Sequence, residues 1–157
     1  MKKLSKSPPV IICHTEMHDR GNIYDRLLGV PKNAGVLPYG FVDTGTKIFV
    51  YYKYPVTGIK TIVRAKGPPY EDPKKVPEWS DEWPIEDYRH RINTEPIARY
   101  KIPVHYQELV RMGVRRRDTN TLFCTGHLRS TVVPIREEDG ASIESKLIEK
   151  NRSFPPA

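Results

Sequence analysis

The sequence predicts an α+β domain: a small, curved, mostly antiparallel sheet or barrel of about five or six strands, with short helices at its edges. Three observations carry this reading. Runs rich in β-branched and aromatic residues recur along the chain, as in VIICHT, KIFVYYKY and IKTIVRA. Helical spacings are few and short. Strands and helices do not alternate as they do in a doubly wound parallel sheet. At 157 residues the chain fits one domain, and a chain of that size buries roughly 70% of its unfolded surface without needing disulfides or a metal.

Residues 1–9 read as a flexible basic N-terminus, residues 10–150 as the domain, and residues 151–157 as a tail. The β-branched run 10–15 predicts a buried strand. A turn at 19–21 precedes a helix of at most two turns, opened by Asn22 as N-cap and stopped by Gly29 and Pro31. Residues 47–54 predict a strong strand and 59–67 a second, joined as a hairpin through PVTG. Proline and acid interrupt the order through Pro84. Residues 88–97 alternate and read as a strand. VHYQELVRM reads as a helix ending at Gly113, RRRDTN as loop, and TLFCTGHLRSTVVPI as one or two strands. A short amphipathic helix over 142–150 closes the domain.

The formal net charge is +7, and it is unevenly placed. Residues 71–87 hold seven acids (Glu71, Asp72, Glu78, Asp81, Glu82, Glu86 and Asp87) against Lys74 and Lys75. The remainder is therefore more basic than the total suggests. A field of that sign favours a polyanion such as nucleic acid. Both tryptophans, Trp79 and Trp83, sit in the acidic stretch EWSDEWPIEDYRHRI. The apolar run near the start is too short for a signal peptide. No stretch approaches the ~20 apolar residues of a membrane span, so the chain reads as cytoplasmic with no membrane partner. Cys13 and Cys124 do not make a secreted scaffold and read as small buried hydrophobes in strands.

The glycines are isolated, and no phosphate loop or dinucleotide fingerprint is present. His14 and His18 are four apart but lie where a strand runs into a loop, with no second ligand pair. No metal and no cofactor is expected. Cys124 and His127 are spaced to point to opposite faces of a strand, which does not make a catalytic pair. The aromatics are more informative. Tyr24, Tyr39, Tyr51, Tyr52, Tyr54, Tyr70, Trp79, Trp83, Tyr88, Tyr100 and Tyr106 are interleaved with Arg and Lys. Rings of this kind stack bases at ~1–3 kcal/mol each while the cations meet phosphates. The plain alternative is a set of tyrosines half-buried at the rim of a small β-domain. Arg115, Arg116 and Arg117 form the most basic run, whose default is a solvated turn.

The colinear segments GVPKN, KIFVYY, TGIKTIVRAKGPPYEDP, YRHRINTEPIARYKIPVHYQELV and NTLFCTGHLRSTVVPIREED resemble the EVE domain. That family shares a PUA-like barrel with the YTH readers of methylated adenine. The resemblance spans about residues 10–150 and implies a nucleic-acid-binding module, for DNA or RNA, that takes a flipped, modified base into an aromatic pocket. It assigns Leu28, Val30, Lys32 and Asn33 to the pocket after the first helix. Tyr51, Tyr52 and Lys53 come from the FVYYK strand. Tyr88 and Arg89 stand where the chain returns to the sheet, and Asn120, Leu122 and Phe123 at the late strand. Trp79 or Trp83 is expected to fold back as a cage wall, because Leu28 stands where the family often has Trp. Lys60, Arg64, Arg91, Arg115, Arg116 and Arg117 are assigned to phosphates. A related fold, the ASCH domain, supplies an alternative: an enzyme acting on RNA or a modified nucleoside through Lys32, Lys53 and Tyr88. A small-ligand or protein-interaction module using the acidic loop is a third reading.

Overall fold

The computed structural model describes residues 8–14, 16, 19–30, 40–72, 74, 76, 90–124 and 132–154. The strands are β1 (Val10–His14), β2 (Leu27–Val30), β3 (Lys47–Tyr52), β4 (Gly58–Ala65), β5 (Tyr70–Glu71), β6 (His90–His105), β7 (Arg115–Arg116), β8 (Thr121–Leu122) and β9 (Val132–Pro134). A 3-10 helix covers Arg20–Asp25, and two α-helices cover Tyr106–Arg111 (α1) and Glu137–Lys150 (α2). One sheet runs in the order β2-β6-β4-β3-β1-β9, with β5 also paired to β6, while β7 and β8 form a separate hairpin. The pairs of the main sheet are antiparallel except β1 with β3, which run parallel. The sheet is therefore mixed, although mostly antiparallel as the sequence predicts.

The pleat explains the core. Val10 and Ile12 of β1 join one hydrophobic cluster, and Ile11 and Cys13 join another on the opposite face. The same split separates Ile48, Val50 and Tyr52 from Phe49 and Tyr51 in β3. A strand buried on both faces reads as an unbroken apolar run, and VIIC does. The first cluster also takes Leu28 and Val30 from β2 at one edge of the sheet and Val132 from β9 at the other. Ile92, Val63, Val50 and Ile12 link these edges across the intervening strands, and the sheet curls around this cluster as a half-barrel, with this face concave. Register shifts at Val50/Tyr51, Ile59/Thr61 and Ile62/Val63 supply local bends. Ile143 and Leu147 of α2 cover the convex face with Leu109 of α1.

Several elements differ from the sequence reading, each for a tertiary reason. LLGV, read as the end of a helix, is strand β2, held in register by β6 from Leu27↔Asn93 to Val30↔His90. Asn22 does not open a helix; it lies inside the 3-10 turn at φ 59°, beside Gly21 at φ 61°. β6 continues through Pro96 and Pro103 to His105, longer than residues 88–97, because its first residues pair with both β2 and β5 and the rest, from Thr94 to His105, with β4. α2 begins at Glu137 rather than 142, with Glu137, Glu138 and Asp139 at the positive end of its dipole. Cys13 is buried as expected, but Cys124 is exposed beyond β8.

Chain direction gathers several strand ends together. Because β1 and β3 are parallel and β4 and β6 alternate against them, His14, Tyr52, Gly58 and His105 all lie at one end of the sheet. β6 is locked there by Asn151, whose side chain accepts from Ile102 N at 2.8 Å and donates to Ile102 O at 2.9 Å. A Cβ on Gly58 would lie 2.5 Å from the Val104 carbonyl oxygen, so glycine lets β4 and β6 close at this end. Gly58→Ala is expected to cost about 1–3 kcal/mol of stability, as overpacking does, read as a lower urea midpoint at unchanged slope.

Candidate functional site

A polar network lies on the concave face at this end, where the chain leaves β1. Its centre is Asp19, whose side chain is only 5% exposed. Asp19 Oδ1 accepts the Tyr24 backbone N–H at 2.9 Å, and Oδ2 accepts the Tyr52 hydroxyl at 2.8 Å. The Arg99 guanidinium donates to both oxygens, at 2.8 and 3.1 Å, and its Nε donates to Asp25 at 2.8 Å. Tyr52 also lies 2.7 Å from the Thr61 hydroxyl. With Tyr52 donating to the carboxylate, Thr61 is left to donate to Tyr52.

The strands dictate who takes part. Arg99 is opposite Thr61 across the β4–β6 pair, and its neighbours Ala98 and Tyr100 belong to the convex cluster. Alternation therefore turns Arg99 inward. Tyr24 stacks on Tyr52 at 6.1 Å between centroids and lies 2.5 Å from His14 Nδ1 through its hydroxyl. Thr94 donates to the Tyr24 carbonyl at 2.7 Å. The segment from Asp19 to Asp25 is thus fastened to the sheet by side chains from β1, β3 and β6. At the rim, Lys60 pairs with Glu16, and its Nζ lies 5.3 Å from the centre of the Tyr52 ring.

The electrostatics are set by burial. Burial pushes the Tyr52 hydroxyl well above the usual tyrosine range, and the Asp19 charge adds to this. Burial would lower Arg99, but its hydrogen bonds to Asp19 and the Asp19 charge outweigh that and raise it. Both groups are held in the states that bond: a protonated phenol and a guanidinium. On the convex face, burial moves Tyr51 up to about 12 and Cys13 up to about 11, so the Cys13 thiol is not a nucleophile at neutral pH.

The residues assigned from the sequence separate in space. Tyr52 lies in the network, whereas Tyr51 faces the convex cluster 6.4 Å from the Phe123 ring. Leu28 and Val30 are fully buried in the concave core. Lys53 is exposed in the turn after β3, its N–H bonded to His14 O at 2.8 Å. Asn120 and Leu122 are exposed at the β7–β8 hairpin, and Phe123 is buried on the convex side. Lys32, Asn33, Trp79, Trp83, Tyr88 and Arg89 lie outside the described residues, as does His127. Of the cations, Arg91 is buried, with its guanidinium 3.4 Å from Asp72 and bonded to the Lys74 carbonyl. Arg116 is buried and bonds Asp118 twice, at 2.7 and 3.1 Å. Arg64 and Arg115 are half-buried, and Arg117 is exposed.

Sequence reasoning missed Asp19 and Arg99. The one available signal is Arg99 itself, a charge set between apolar neighbours in an alternating strand, whose inward face only the register reveals.

No family model and no curated protein matches this chain. Solved structures do. A hypothetical protein from Leishmania major superposes with TM-score 0.65 at 14% identity, covering 94% of this chain and 99% of that one. A Pseudomonas syringae protein matches with TM-score 0.60 at 17% identity, over 87% and 97%. The YTH domain of Zygosaccharomyces rouxii MRB1, solved in complex with N6-methyladenosine RNA, matches with TM-score 0.59 at 15% identity, over 94% and 90%. The chain has the curled PUA-like fold of these domains, as the sequence resemblance implied.

Arg99→Ala removes the counter-charge from a buried carboxylate and is expected to cost about 3 kcal/mol. Tyr52→Phe loses two hydrogen bonds, one to Asp19 and one with Thr61, and is expected to cost about 2 kcal/mol. Chemical denaturation of both variants checks the order. Because the folded state raises Tyr51 and Tyr52, the unfolded chain releases these protons first. This part of the stability is intact below about pH 10 and falls as pH rises from there towards about 12. Tyrosinate absorbance and circular dichroism followed together through that range test it.

Proposed function

We propose that this chain is an RNA-binding module that reads a modified base, and not an enzyme. The observation that supports it most is the near end-to-end likeness to a domain solved in complex with N6-methyladenosine RNA. The formal charge of +7 suits such a partner. The base enters at the β1 end of the half-barrel. The Asp19–Arg99–Tyr52 network forms the rigid polar floor beneath it. Lys32, Asn33, Trp79, Trp83, Tyr88 and Arg89 are the residues that the resemblance assigns to the walls, with Lys53 at the rim.

Two energies set what the walls must do. Taking a base out of its stack costs a few kcal/mol, which ring stacking and phosphate contacts must offset. Burying one methyl group is worth only ~0.8 kcal/mol, about a fourfold preference. Stronger selectivity needs a pocket that holds the plain base poorly.

Fluorescence anisotropy with two single-stranded RNAs, identical except for one adenine or N6-methyladenine, tests this. Binding should weaken with salt by roughly 0.7 in log K per log salt for each phosphate contacted. The methylated strand should bind at least about fourfold tighter. Absence of binding to either strand at low salt sinks the RNA reading, and equal binding sinks the modified-base part.

A further inference from the structure

We propose a second RNA contact at the same end of the sheet: the strand leaving the base-reading mouth crosses the turn after β3, stacks a base on Tyr54, and seats the next nucleotide in a cleft on the convex face formed by Tyr51, Tyr106, Gln107 and Arg111. This rests on the RNA reading and names where the flanking nucleotides go.

The turn is the ridge between the two faces, because β3 delivers Tyr52 to the concave side and Tyr51 to the convex side. Tyr54 stands on it at 85% exposure; Ile148, at 55%, comes next among the described large hydrophobics. A lone exposed ring needs no function, but this one has a mount and neighbours. Lys53, beside it, is exposed and its N–H is bonded to His14 O at 2.8 Å. Val56 N donates to Lys53 O at 3.2 Å, and Tyr106 N donates to Thr57 O at 2.9 Å. The turn is thereby tied to β1 on one side and to α1 on the other. A ring held on a fixed turn beside a cation is the arrangement that stacks successive bases of a single strand.

The cleft begins where the turn ends. It measures about 700 Å³ and is lined by Thr57 together with Tyr51, Tyr106, Gln107 and Arg111, a size in the range of small-ligand sites. The Tyr106 ring is supported from behind by Phe123 at 5.7 Å. The Tyr51 hydroxyl is protonated at neutral pH, as any tyrosine is, and is available as a donor. Glu108 also borders the cleft, but its carboxylate is bonded to Lys150 and accepts the His105 N–H at 3.1 Å. Its charge is answered from within the fold, and Arg111 leaves the rim suited to a phosphate. Gln107 offers both a donor and an acceptor to a base edge.

Anisotropy titrations of Tyr54→Ala, Tyr54→Phe and Arg111→Ala test the contact. Three RNAs are compared: a strand with a central N6-methyladenosine, and versions trimmed on its 5′ or its 3′ side. Against the full strand, Tyr54→Ala should bind about tenfold weaker, while Tyr54→Phe, which keeps the ring, stays within about twofold. Arg111→Ala should reduce the salt slope by about 0.7. With one of the two trimmed strands, all variants should bind like the wild type. Wild-type affinity of Tyr54→Ala and Arg111→Ala for the full strand overturns the second contact and leaves the base reading standing. A loss that persists with both trimmed strands overturns it too, by placing these residues at the central base. Failure of the wild type to bind any of the three overturns both readings.

Discussion

The arrangement of this molecule turns on one carboxylate. Asp19 is nearly closed off from solvent, and a charge there costs several kcal/mol unless it is paired and fully hydrogen-bonded. The fold meets that demand with four donors: two from Arg99, one from Tyr52 and one from the Tyr24 backbone. The three residues that supply them belong to different parts of the chain. Satisfying one acidic side chain therefore fixes the segment after β1, the end of β3 and the middle of β6 relative to one another. The requirement is geometric as well as electrostatic, since only a planar guanidinium spans both oxygens of the carboxylate.

The second constraint is the two-sided sheet. β1 and β3 have core on both faces, so their adjacent residues serve different sides. Tyr51 and Tyr52 are a case of this: one packs near Phe123, and the other holds Asp19. An aromatic pair that looks like one cage wall in the sequence is in fact divided between two surfaces meeting at the turn 53–57. That division makes this end of the sheet able to present polar and aromatic groups on both sides of one ridge. The cations are divided as well. Arg91 and Arg116 are turned into the protein against Asp72 and Asp118, because each leaves its strand on the buried side. Lys53, Arg111 and Arg117 stay at the surface.

Legibility in the sequence tracks the range of the interactions concerned. Strands β1, β3 and β4 are readable because their apolar runs are strong and each run carries its own signal. LLGV is not, because four residues carry too little periodicity, and pairing with β6 decides their state. The long strand β6 looks shorter than it is because prolines at 96 and 103 resemble breaks, yet they are tolerated where the pairing with β4 is irregular: Pro96 borders the register shift at Ile62/Val63, and Pro103 lies within the one at Ile59/Thr61. Of the site, Tyr52 and Lys53 stand out as an aromatic and a cation at a strand end. Asp19 looks like an ordinary turn acid, and Arg99 like one of many surface arginines. Cys124 looks like a strand hydrophobe and is exposed, since β8 ends before it.

By itself the sequence determined the class of fold, the basic character of the chain, and the presence of aromatic residues at strand ends. Those properties depend on composition and short-range pattern, which any local window contains. Only the tertiary structure decided which face each residue serves. The parallel pairing of β1 with β3 brings their ends together, the register of β4 with β6 turns Arg99 towards Asp19, and the pleat separates Tyr51 from Tyr52. The two pairings join residues tens of positions apart, beyond the reach of any local window. A shift of one residue in register would send every side chain of a strand to the other face.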